Sequence, residues 1–124
     1  MNVLAVDRDR ATRLQLHRAF NSIGLDVDDC ASAEEALALI QHKSYSVIIT
    51  EWSLPGLDGL SLCRELRRRG VRSGLVVLSE RGSLTERVEA FSAHIDDYHT
   101  KPAEIAELRL KVDALARRVH EAQS

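Results

Sequence analysis

Three runs in this chain are apolar without a break: Val3-Leu4-Ala5-Val6, Val47-Ile48-Ile49 and Leu75-Val76-Val77-Leu78. A strand with one wet face alternates polar and apolar residues. Unbroken runs followed by polar loops instead fit strands buried on both faces, the pattern of a parallel sheet covered above and below by helices. Two weaker runs, Asp26–Cys30 and Ile95–His99, carry acidic residues and read as edge strands.

Between these runs the apolar spacing turns helical. Leu16, Ala19, Phe20 and Ile23 line a first helix that Gly24 ends. Ser32-Ala33-Glu34-Glu35 is a capping box opening a second, whose apolar face is Ala33, Ala36, Leu37 and Ile40. Leu60, Cys63 and Leu66 mark a third, stopped by Gly70, and Leu84, Val88 and Phe91 mark a fourth. The last begins after Pro102 and carries Ile105, Leu108, Val112, Leu115 and Val119. Five strand-helix units with right-handed crossovers make an α/β fold with a doubly wound parallel sheet. With the three most apolar strands central, the five-stranded order is 2-1-3-4-5.

Composition narrows the function. At 124 residues and 44% hydrophobic the chain is one domain with a full core. Its 17 basic residues against 19 acidic ones leave −2, too even for a surface that grips nucleic acid by bulk charge. No apolar run could span a bilayer, and Met1 leads straight into a strand-like run, so the reading is cytoplasmic, with no membrane partner and no signal peptide. Cys30 and Cys63 have no metal or redox spacing and read as ordinary reduced thiols. The five histidines are dispersed, without metal-ligand spacing.

In doubly wound sheets the working site lies beyond the carboxyl ends of the strands. Those ends carry Asp7-Arg8-Asp9, Thr50-Glu51, Ser79-Glu80 and Lys101-Pro102: carboxylates, a hydroxyl and a lysine around one crevice. Here the segments Ala5–Asp9, Ile49–Gly59, Val77–Glu80 and Asp96–Pro102 resemble the receiver domain of bacterial two-component response regulators, and the resemblance runs from Val3 to the final helix. Leu54-Pro55-Gly56 with Asp58-Gly59, and Tyr98 with Lys101-Pro102, are its most specific elements. The resemblance implies a flavodoxin-like receiver fold with five helices. It also implies a site with two acidic Mg²⁺ ligands, a phosphoacceptor aspartate, a Ser/Thr and a Lys around the phosphoryl group, and a switch aromatic. Ser79, Tyr98 and Lys101 match that pattern, as does Asp7 at the first acidic position.

Two positions depart from it. Glu51 stands at the phosphoacceptor position, its carboxylate displaced by ~1.3 Å through the extra methylene, where in-line transfer tolerates little displacement. Arg8 stands at the second acidic position and has no lone pair to offer a metal. Asp9 lies one residue too far along to substitute, and His94 stands where the family has glycine. The acidic pocket of Asp7, Arg8 and Asp9 is therefore expected to hold Mg²⁺ weakly or not at all, with no other cofactor. The chain is expected to be an atypical, phosphorylation-independent receiver and not an enzyme, with no catalytic residue. Arg8 is expected to pair with Glu51 or Asp7 in place of the metal, and Glu51 to reach toward Ser79 and Lys101 as an acyl phosphate would.

The last helix resembles that of winged-helix response regulators, which implies a receiver over residues 1–122, with 123–124 as tail or start of a linker. It implies regulation of transcription through a DNA-binding domain that this chain does not contain, a histidine kinase as partner, and a two-fold homodimer. By the resemblance the dimer face pairs Arg87 with Glu107, Asp97 with Lys111, and Asp96 with Arg118, around apolar Ile105, Leu108 and Leu110. The alternatives are a stand-alone adaptor that binds a kinase or another regulator, and a phosphorylatable receiver. Trp52 reads as a loop aromatic covering the rim, and Arg67-Arg68-Arg69 as cations suited to a helix C-terminus.

Overall fold

The computed structural model describes residues 1–123. Five strands and five helices alternate: β1 (Asn2–Val6), α1 (Arg10–Asn21), β2 (Asp26–Cys30), α2 (Ala33–Leu39), β3 (Val47–Glu51), α3 (Gly59–Arg68), β4 (Gly74–Ser79), α4 (Leu84–Phe91), β5 (Asp97–Thr100) and α5 (Ile105–Gln123). All strand pairs are parallel, in the order β2-β1-β3-β4-β5. Ser124, expected in the tail, lies outside the described residues.

The unbroken apolar runs divide their residues between two cores. Leu4, Val6, Ile48, Leu75 and Val77 face a layer with α2 and α3. Val3, Ala5, Val47, Ile49, Val76 and Leu78 face the layer of α1 and α5. Successive side chains in a strand point to opposite sides, so only a run without alternation can feed both.

Local signals set the helix starts. Asp9, Ser32, Asp58 and Ser83 cap α1 to α4, each accepting a backbone N–H of the first turn. The box expected at Ser32 closes only on one side, because Glu35 accepts the N–H of Ala31. The reciprocal box forms instead between Ser83 and Glu86.

Two expectations need correction. Strand β5 begins at Asp97, two residues after the expected start. Leu84, Val88 and Phe91 do not face the core: they are 79%, 62% and 46% exposed, and small Ala90 and Ala93 make the inward contact. Ile23 is likewise exposed. A spacing of i, i+4, i+7 defines one face of a helix and does not say which face is buried.

Gly59 explains how the loop after β3 is seated. A Cβ there would sit 2.0 Å from the carbonyl oxygen of Glu51, while the Gly59 N–H donates to the Trp52 carbonyl at 2.8 Å. The N-terminus of α3 thus lies directly against the residues that end β3. His94, after α4, holds a left-handed φ of 60°, a conformation that costs an L-residue about 1–2 kcal/mol. His94→Gly removes that strain but adds chain entropy to the unfolded state, so it should stabilise the domain by about 0.5–1 kcal/mol, read as a higher urea midpoint with unchanged slope.

Candidate functional site

Three strand ends converge on one ammonium. Asp7 follows β1 and is buried, Glu51 ends β3 and is buried, and Lys101 follows β5. Lys101 Nζ lies 2.8 Å from Asp7 Oδ2 and 2.5 Å from Glu51 Oε2. The lysine is aimed inward by its own backbone, whose N–H donates to the Ser79 carbonyl at 2.7 Å. Burial disfavours the ammonium, but hydrogen bonds and charge from Asp7 and Glu51 outweigh it and hold its pKa above the ordinary lysine value. With that sign, the ion pair's contribution is complete at neutral pH and fades only as pH rises through the lysine's raised pKa.

The remaining carboxylate oxygens are also engaged. Asp7 Oδ1 accepts the Asp9 N–H at 2.8 Å. Glu51 Oε1 accepts from the N–H groups of Trp52 and Ser53 at 2.8 and 3.1 Å. The extra methylene lets the Glu51 carboxylate fold back on the loop that follows it while its other oxygen meets Lys101. Glu51 reaches the lysine as expected, but not Ser79. The Ser79 hydroxyl accepts the Arg81 N–H at 3.2 Å, and the buried Tyr98 hydroxyl donates to the Arg81 carbonyl.

Arg8 does not take the metal's electrostatic role. Its side chain is exposed, and the partner of both Asp7 and Glu51 is Lys101. Lys101, half-buried against both carboxylates, already makes the ion pairs expected of Arg8. Asp9 faces away too, accepting from Ala11 N–H and the Thr12 hydroxyl at the start of α1, contacts that lower its pKa, the Thr12 hydroxyl most. Mg²⁺ requires near-octahedral oxygen ligation. The one buried carboxylate of the acidic pocket is bound through both oxygens, its neighbour is a cation and the third member is a helix cap. This donor set does not fit the ion.

Asp7, Arg8, Asp9, Glu51, Ser53, Ser79, Glu80, Arg81 and Lys101 line a crevice of about 390 Å³. Trp52 is not rim cover: it is 3% exposed, its ring edge-on to Tyr98 with centroids 6.4 Å apart and the Arg81 guanidinium 4.4 Å above it. Sequence reasoning missed Arg81, whose only signal was its place two residues after Ser79.

The residues of the expected dimer face are partly committed within the chain. Lys111 pairs with Glu107 at 3.1 Å and Asp97 at 3.6 Å, and Asp96 pairs with Arg67 at 3.0 Å. Leu108 belongs to the core, Ile105 is half-buried, and Leu110, Arg87 and Arg118 are exposed. Helical periodicity turns Leu108 toward the sheet and leaves Leu110 outside. Both cysteines are buried, and burial raises the thiol pKa values to about 11 for Cys30 and about 12 for Cys63, so neither is a reactive thiolate. No helix among the described residues is long and apolar enough to cross a membrane.

A doubly wound 2-1-3-4-5 sheet with an acidic pocket, a hydroxyl, a lysine and a buried aromatic at its carboxyl edge is the architecture of a signal receiver. The model of the response regulator receiver domain matches residues 3–113, and the chain belongs to that family. Response regulator MprA of Mycobacterium leprae is 38% identical over 118 residues, 95% of this chain and 52% of that protein; the Mycobacterium bovis protein of the same name is 37% identical. The chain spans about half the length of the curated relatives it matches. The receiver domain of Francisella response regulator 1452 superposes with a TM-score of 0.90 at 34% identity, covering 94% of this chain and 97% of that one.

Removing the ammonium leaves two buried carboxylates facing each other. Lys101→Met should destabilise the domain by about 3 kcal/mol at neutral pH. Arg8→Ala, with no pair to break, should stay within about 0.5 kcal/mol of the parent. Urea melts of both variants at neutral pH read the contrast.

Proposed function

We propose that this receiver acts without phosphorylation, with Glu51 taking the place of a phosphorylated acceptor in holding Lys101. The observation that carries this reading is the Asp7–Lys101–Glu51 cluster, in which the cation that would neutralise an incoming phosphoryl group is already neutralised. A nucleophile must sit in line with the donor, and Glu51 has one oxygen tied to two backbone N–H groups and the other to the lysine. Phosphoryl transfer relies on a metal ion and lysine to neutralise the charge of the transferring group, and this donor set fits the metal poorly while the lysine is already paired. The domain is a signalling module and not an enzyme.

The longer relatives, named response regulators, support a role in two-component signalling with a histidine kinase as partner, in the cytoplasm. In that reading the receiver controls transcription through a DNA-binding domain outside this chain, and it does so as a homodimer through the face of α4, β5 and α5. Exposed Leu84, Val88 and Phe91 on α4, with Leu110 on α5, supply the apolar area for that contact. A two-fold axis uses each of them twice. Arg87, Asp97, Glu107 and Lys111 form the charged rim, where each pair is worth ~0.2–1 kcal/mol and is screened by salt.

Incubation with acetyl phosphate and Mg²⁺ should leave the intact mass unchanged, whereas the double variant Arg8→Asp with Glu51→Asp should gain one phosphoryl group. A stable adduct on the parent protein would overturn the reading. In sedimentation at rising concentration the parent should dimerise, and Val88→Glu should be monomeric with stability within about 0.5 kcal/mol of the parent, since the side chain is exposed.

A further inference from the structure

Glu51 does not touch Ser79, so something other than the carboxylate must hold the loop after β4 and, through it, Tyr98. Arg81 meets every requirement. Its N–H donates to Ser79 Oγ at 3.2 Å, and its carbonyl accepts the Tyr98 hydroxyl. Its guanidinium lies 4.4 Å over the Trp52 ring and reaches Ser53 Oγ at 3.5 Å. Trp52 in turn meets Tyr98 edge-on. The contacts close a ring, Arg81 to Trp52 to Tyr98 and back to Arg81, which ties the loop after β4 to the loop after β3.

We infer that Arg81 is a positioning residue that latches Tyr98 inward by stacking on Trp52. Arg81 is exposed, while Trp52 and Tyr98 are buried. A cation over an indole face is attracted by the ring quadrupole, and indole is the best of the aromatic partners. The Tyr98 hydroxyl donates to a main-chain acceptor in this loop and also meets the Ser79 hydroxyl, and the Arg81 side chain anchors the loop that carries that acceptor across the crevice. The loop runs straight through Gly82 into the Ser83 cap of α4. Releasing Arg81 therefore frees Tyr98 and the start of α4 together. The latch operates whether or not Glu51 accepts a phosphoryl group, so its failure leaves the proposed function standing, and the reverse.

Trp52 is the sole tryptophan, which makes its emission a direct readout. Arg81→Ala should make Trp52 more accessible to acrylamide and weaken the nuclear Overhauser contacts between the Tyr98 and Trp52 rings, with the urea midpoint little changed because the side chain is exposed. Arg81→Lys, which keeps a cation over the ring, should restore both signals in part. Arg81→Gln, which keeps reach without charge, should not. Unchanged quenching and unchanged ring contacts in Arg81→Ala would overturn the proposal, as would equal rescue by Lys and Gln.

Discussion

The Lys101 ammonium, held between Asp7 and Glu51, is the interaction on which the carboxyl edge of this sheet depends. Parallel strands bring their ends together whatever residues stand there, and this chain brings two buried carboxylates into one crevice. Neither can be buried charged without a partner. Lysine from the third strand end supplies it, and the peptide N–H groups of Asp9, Trp52 and Ser53 satisfy the outward oxygens. The cluster therefore joins β1, β3 and β5.

That arrangement decides what Glu51 can do. Glutamate has the reach to meet the lysine, but the same methylene folds its second oxygen onto the Trp52 and Ser53 N–H groups and away from Ser79. The hydroxyl meets the Arg81 N–H and the Tyr98 hydroxyl instead, and Tyr98 is buried against Trp52 with its pKa raised, burial being the largest cause. Ser79 and Tyr98 are thus coupled to one another through the loop after β4 and only indirectly to Glu51. On the outer surface, α4 makes its inward contact through Ala90 and keeps its large apolar side chains in solvent, which is costly unless another surface covers them.

Much of this was legible in the sequence. Unbroken apolar runs identify central strands because only a strand buried on both faces can omit polar residues, and the strand order followed from that ranking. The convergence of Asp7, Glu51, Ser79 and Lys101 followed as well, since each ends its own run. The orientation of α4 was not legible, because Leu84, Val88 and Phe91 satisfy helical periodicity equally well facing in or out. Leu108 failed in the opposite sense, as a core residue read as surface.

What the sequence determined by itself is which residues stand at the strand ends, because backbone periodicity and caps are local and each residue's place in them is set by near neighbours. Only the tertiary structure decided who pairs with whom. Lys101 took both carboxylates although Arg8 is adjacent in the chain to one of them, because burial favours the cation that the sheet already points inward. Arg81 was drawn onto Trp52 because the loops after β3 and β4 are neighbours only once those strands pair. Charge and ring contacts act at a few ångströms in space, and separation along the chain carries little information about that distance.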